Sequence, residues 1–182
     1  MYGTTPAGDT SDVWAFHPAS GTWRRIEARI RDNVPRHDAG YWSAAGKLFV
    51  YGGRTGERIL GGLWMVDLSS LRGEMVGERG PRAGAGLFCD AAARTIYLYG
   101  GEGPAGLMND LQRYDLRRRA WEVLGDRRGE VPPAMAGAGL LVSPVDGAIT
   151  VLAGSSGERR EALWQLGPSG WRSHRRIMGG ER

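Results

Sequence analysis

A chain of 182 residues with a net charge of +4 has room for one sizeable core or for several small layers side by side. Glycine supplies 30 of those residues, more than twice the usual share of ~7%, and without a triplet period this excludes collagen and points to many tight turns. The chain has no basic-then-apolar leader and no apolar run near the ~18 residues of a membrane helix, so it is expected in the cytoplasm or nucleus, not secreted and not in a membrane.

In chain order, the first elements read as strands. Asp12-Val13-Trp14-Ala15-Phe16 has the character of the third strand of a repeating unit, and Trp23 marks the fourth. Residues 1–26 are therefore expected to be the second half of a unit, with Tyr2-Gly3 the tail of an absent second strand. Residues 35–76 read as a complete unit. Its first strand holds Ala39-Gly40-Tyr41, and its second, Lys47-Leu48-Phe49-Val50-Tyr51, closes on Gly52-Gly53. Its third strand carries Trp64; its fourth lacks a tryptophan, and Met75 or Val76 is expected to take that place.

Residues 81–124 repeat the order most clearly. Ala85-Gly86-Leu87 opens the unit, and Thr95-Ile96-Tyr97-Leu98-Tyr99 ends on Gly100-Gly101. Asp110-Leu111-Gln112-Arg113-Tyr114-Asp115 follows, then Trp121-Glu122-Val123-Leu124. Residues 132–173 form a degenerate third copy, with Ala138-Gly139-Leu140, an apolar run to Ala153-Gly154, Trp164 and Trp171; residues 174–182 are a tail. Gly52 and Gly100 lie 48 positions apart, and Gly100 and Ala153 lie 53 apart. A period near 50 is the mark of a repeat architecture.

Each unit is thus a four-stranded antiparallel meander, and no segment sustains a helical period. One such sheet cannot bury both faces alone, so the copies must stack. Gly52, Gly53, Gly100 and Gly101 are expected to admit a close approach of neighbouring backbone or rings, where a Cβ would clash. Trp14, Trp64, Trp121 and Trp164 are expected to pack between copies, not to form a ligand cage.

These residues together resemble the kelch repeats that build blades of β-propellers. The resemblance rests on Pro35-Arg36 and Pro81-Arg82 before the first strands, the diglycines, Asn109-Asp110-Leu111 with Tyr114-Asp115, and Trp121. It covers residues 1–173. The chain departs from the pattern at Ala153, at Ala134 where the family often has arginine, and at the missing tryptophan of the 35–76 copy. The fold it implies is all-β, an open propeller of about 3.5 blades, whereas propellers close with four to eight. The chain is expected to be an excerpt of a longer propeller or a product of gene truncation, with a homo-oligomer covering its open edges as the alternative.

The family resemblance implies a non-catalytic protein-interaction module, a scaffold or adaptor that binds a protein or peptide partner. The alternative is a fragment of a galactose-oxidase-like enzyme or metal-binding propeller whose site lies in missing blades. Loops joining second to third strands, and fourth strands to the next unit, share one end of a meander. The binding residues expected there are Arg54, Arg58, Arg82, Glu102, Arg159 and Arg160. Catalysis finds no motif: His17, His37 and His174 lack metal-ligand spacing, and no serine sits in a nucleophile elbow. Gly100-Gly101-Glu102-Gly103 lacks the strand-to-helix turn of a phosphate loop, so no cofactor is expected. The lone Cys89 reads as a buried small residue. The arginines are scattered among acids and form no basic stripe of the kind that binds nucleic acid.

Overall fold

The computed structural model describes residues 3–6, 8–10, 12–26, 29–30, 34–124, 130–152, 154–156 and 162–175. The expectations placed on Tyr2, Ala153, Arg159 and Arg160, and on the tail beyond residue 175, lie outside them. The described residues are all-β, and no helix among them is long and apolar enough to cross a membrane.

Three stacked sheets carry the fold, and they form a partial propeller. The first holds Gly40–Ala44, Lys47–Tyr51, Leu63–Asp67 and Arg72–Gly77 in antiparallel order. The middle sheet holds Gly86–Asp90, Thr95–Tyr99, Leu111–Asp115 and Ala120–Leu124. The third holds Gly139–Val142, Ile149–Leu152, Ala162–Gly167 and Gly170–Arg175. A two-stranded hairpin, Val13–His17 with Thr22–Ile26, precedes them. Arg29–Ile30 adds a short parallel strand beside Arg72–Gly77, in a stretch that reads from sequence as loop only.

The meanders form where strong β-formers alternate with turn residues. Asp67 and Asp115 each accept two backbone N–H groups from the residues that follow, Ser69 and Ser70 in one case and Arg117 and Arg118 in the other. These aspartates fix the turn between third and fourth strands, as Asx turns do. The Lys47 ammonium and the Ser69 hydroxyl, together with these N–H groups, hold the Asp67 carboxyl below the usual carboxylate range, and the Arg118 and Arg117 N–H groups hold that of Asp115 there.

Successive sheets meet face to face. Phe49, Tyr51 and Leu63 of the first sheet pack on Leu87, Cys89, Ile96, Leu98 and Tyr114 of the middle one. Tyr99 and Leu111 on the other face of the middle sheet meet Leu140, Ile149, Val151 and Trp164 of the third. Rings bridge both junctions: Trp121 stands edge-on to Tyr51 at 5.7 Å, and Trp171 edge-on to Tyr99 at 6.3 Å. Burial pushes the Cys89 thiol up to about 11, as expected of a small buried residue.

Strand register corrects one expectation. Val66 pairs with Gly73 as Tyr114 pairs with Trp121 and Leu166 with Trp171. Gly73 therefore occupies the missing tryptophan's position, and neither Met75 nor Val76 does. Register also shows what stands in the middle copy where Trp14, Trp64 and Trp164 stand in the others: it is Gln112, only 1% exposed.

Candidate interaction face

The diglycines fold the chain so that one sheet's long loop meets the connection leading into the next sheet. Gly52 and Gly100 have φ of +61° and +60°, in the left-handed region. A Cβ on Gly52 would stand 2.0 Å from the Arg82 carbonyl oxygen, and one on Gly100 2.5 Å from that of Met135. The following N–H groups use this approach: Gly53 donates to Arg82 O and Gly101 to Met135 O, each at 2.8 Å. The close approach is to backbone of the next repeat, not to a ring.

Three isolated bridges repeat at the same end: His37 with Arg54, Ala83 with Glu102, and Ala136 with Ser155. Arg54, Glu102 and Ser155 thus hold one position in successive sheets. The loops themselves are small hairpins, Arg54–Thr55 with Arg58–Ile59 and Glu102–Gly103 with Gly106–Leu107. Backbone hydrogen bonds inside these hairpins, and from them to the chain leading into their own and the next repeat, hold this end of the molecule on a fixed frame.

Two of the expected binding residues meet on it. The Arg54 guanidinium contacts the Glu102 carboxylate at 2.5 Å, and its Nε lies 4.0 Å from Asp38, which stands 3.8 Å from His37 Nε2. Arg58 is exposed and takes no ion pair among the described residues. A cavity of about 370 Å³ opens beside it, lined by Arg36, Trp64, Met75, Arg79 and Pro81.

Arg82 is placed elsewhere. Its side chain is 6% exposed, donates to the Gly100 carbonyl at 3.0 Å and grips Asp110 through both terminal nitrogens, at 2.6 and 2.7 Å. Arg36 repeats the first of these contacts, donating to the Gly52 carbonyl at 2.9 Å. The Pro-Arg pairs thus brace the diglycine bends from within, and Arg82 holds a sheet junction instead of presenting itself to a partner. Burial works to raise the Asp110 carboxyl, but Arg82 and a hydrogen bond from Gln112 outweigh it and hold it below the usual range.

Sequence reading missed this network, which Arg79 completes by donating to Gln112 Oε1 at 3.0 Å. Its one available signal was the recurrence of a Pro-Arg pair ahead of both diglycines, 16 positions before Gly52 and 18 before Gly100, which marks scaffold over ligand contact. Above the network, burial pushes the Tyr51 hydroxyl up to about 12, against the pull of Arg82 and Arg79, and the hydroxyl donates to the Gly80 carbonyl at 2.7 Å.

Among the described residues no group of three or more His, Cys, Asp or Glu side chains is placed to hold a metal ion. The face offers charged and hydrogen-bonding groups on a fixed frame, a chemistry of recognition. A family model described as the KLHDC2/KLHL20/DRC7 Kelch-repeats domain matches residues 2–177. No curated protein matches the chain.

Proposed function

The chain belongs to the kelch-repeat family, whose domains are in general protein-interaction modules, and from that premise we propose that it binds a protein or peptide partner without catalysing a reaction. The partner docks on the loop end, against Arg54, Arg58 and Glu102; Arg159 and Arg160, which lie outside the described residues, join them as contacts only by their place in the repeat order of the sequence. Arg82 serves this face from below, by fixing the bend on which the Glu102 loop is carried.

One observation carries this reading. Arg54 of the first sheet and Glu102 of the next meet at 2.5 Å, on loops that are each hydrogen-bonded to the Arg82-Ala83 connection between the two sheets. A polar surface therefore runs unbroken across two sheets, with Arg58 open beside it. A partner docking there loses little entropy to loop ordering, because the loops are ordered already.

A peptide array probed with the whole chain supplies a defined ligand, and the tightest-binding peptide is then titrated against variants. Arg54→Ala with Arg58→Ala is expected to weaken it at least ~10-fold, which corresponds to about 1.4 kcal/mol. Arg94→Ala with Arg118→Ala removes the same charge from exposed residues at the opposite end and is expected to leave affinity unchanged. Equal loss in both pairs, or loss only in the second, overturns the assignment.

A further inference from the structure

The N-terminal hairpin turns its aromatic face to solvent. Trp14, Phe16 and Trp23 lie on one face and are 44%, 48% and 59% exposed, with Phe16 and Trp23 in contact at 4.9 Å between ring centres. The opposite face buries Val13 and half-buries Ala15 and Ile26. By register these three positions are those of Gln112, Tyr114 and Trp121 in the middle sheet, and of Trp164, Leu166 and Trp171 in the third. In both of those sheets the preceding sheet covers them. The hairpin therefore carries the receiving half of a sheet junction.

The other half stands at the far end of the same chain. The face of the third sheet turned away from the middle one carries Leu141, Thr150, Leu152 and Leu163, with Leu141 46% and Leu163 39% exposed. These positions match Phe88, Tyr97, Tyr99 and Leu111, the face that the middle sheet presses onto its successor. We infer that a second copy of this chain covers them: the aromatic face of one hairpin closes on the outer face of the other copy's third sheet.

The charges permit this. Arg25, across from Trp14 on the face of the three rings, is held by Asp12 at 2.6 Å. Arg172 and His174 share the third sheet's outer face but lie on its outermost strand, at the rim of the junction. The contact is head to tail, so it joins two different surfaces and must either close or propagate. Two copies supply eight sheet positions, two of them two-stranded, within the four to eight that closed propellers use.

Light scattering after size exclusion tests this on the whole chain. A mass of twice 19.8 kDa that falls toward monomer on dilution is expected. Phe16→Asp blocks one surface and Leu163→Arg the other, so each variant alone is expected to be monomeric. An equimolar mixture of the two retains one intact pair of surfaces and is expected to recover a dimer. Trp23→Arg and Leu141→Arg make the same two blocks at other positions, and replace any variant whose circular dichroism departs from the parent. A parent that is monomeric at every concentration overturns the inference. So does association that survives both blocks, or a mixture of folded variants that stays monomeric.

Discussion

Arg82 and Asp110 form a buried, bidentate pair at a junction between sheets, and such a pair is costly to halve. Removing one partner leaves an uncompensated charge, at a cost of ~3–5 kcal/mol, whereas removing both together costs much less than the sum. Urea melts of Arg82→Met, Asp110→Leu and the double variant are expected to show a coupling of ~1–3 kcal/mol; additive losses would contradict the bracing role. The pair spans 28 positions, and nothing local in the sequence joins the two residues. Arg82 was legible as part of a repeated Pro-Arg, yet an arginine beside a long loop also reads as a contact residue. Only the packing of one sheet's connection onto the previous sheet's diglycine separates those meanings. Gly52 and Gly100, by contrast, were legible as sites of close approach, because few other roles account for a glycine pair closing a dense β run.

At the level of strands and sheets, junction tryptophans matter in proportion to what covers them. Trp121 packs against both Tyr51 and Tyr114, so Trp121→Ala opens a cavity and is expected to destabilise by ~3–5 kcal/mol. Trp23 holds the same register position in the hairpin but is 59% exposed, and under dilute conditions Trp23→Ala is expected to cost less than ~1 kcal/mol. Thermal or chemical melts of the two variants check this, and equal losses would contradict the junction geometry. The order and type of these strands were legible from periodicity, diglycines and tryptophans. The register of the first sheet's fourth strand was missed although the spacing carries it: Gly73 follows Asp67 by six positions, as Trp121 follows Asp115. The apolar side chains of Met75 and Val76 drew the missing tryptophan's place onto themselves, while hydrogen-bond pairing puts it at Gly73, a residue with no side chain to suggest the role. The pairing inside the long loops was invisible for a different reason. Two-residue ladders are too short to leave a hydrophobic period.

Across the whole molecule, the stacking of sheets separates two ends with different work. At one end, short turns are closed by Asp67 and Asp115. At the other, the first long loop is hydrogen-bonded to the chain leading into the next sheet, and that chain pairs with the next long loop, bringing Arg54 and Glu102 together although they lie one repeat apart. That separation was readable in outline, because a meander alternates its connections between two ends. Which loop side chains touch was not, because it depends on the rotation between neighbouring sheets. Arg94, Arg117, Arg118 and Arg119 place positive charge at the turn end as well, so charge alone does not choose between them. Backbone order and the Arg54–Glu102 contact do. Amide hydrogen exchange of the chain, with and without the tightest array peptide, distinguishes the two ends directly. Protection confined to residues 54–61 and 102–109, with the turns at 91–94 and 116–119 unchanged, is the expected result. Protection of those turns, with the long loops unaffected, would contradict it.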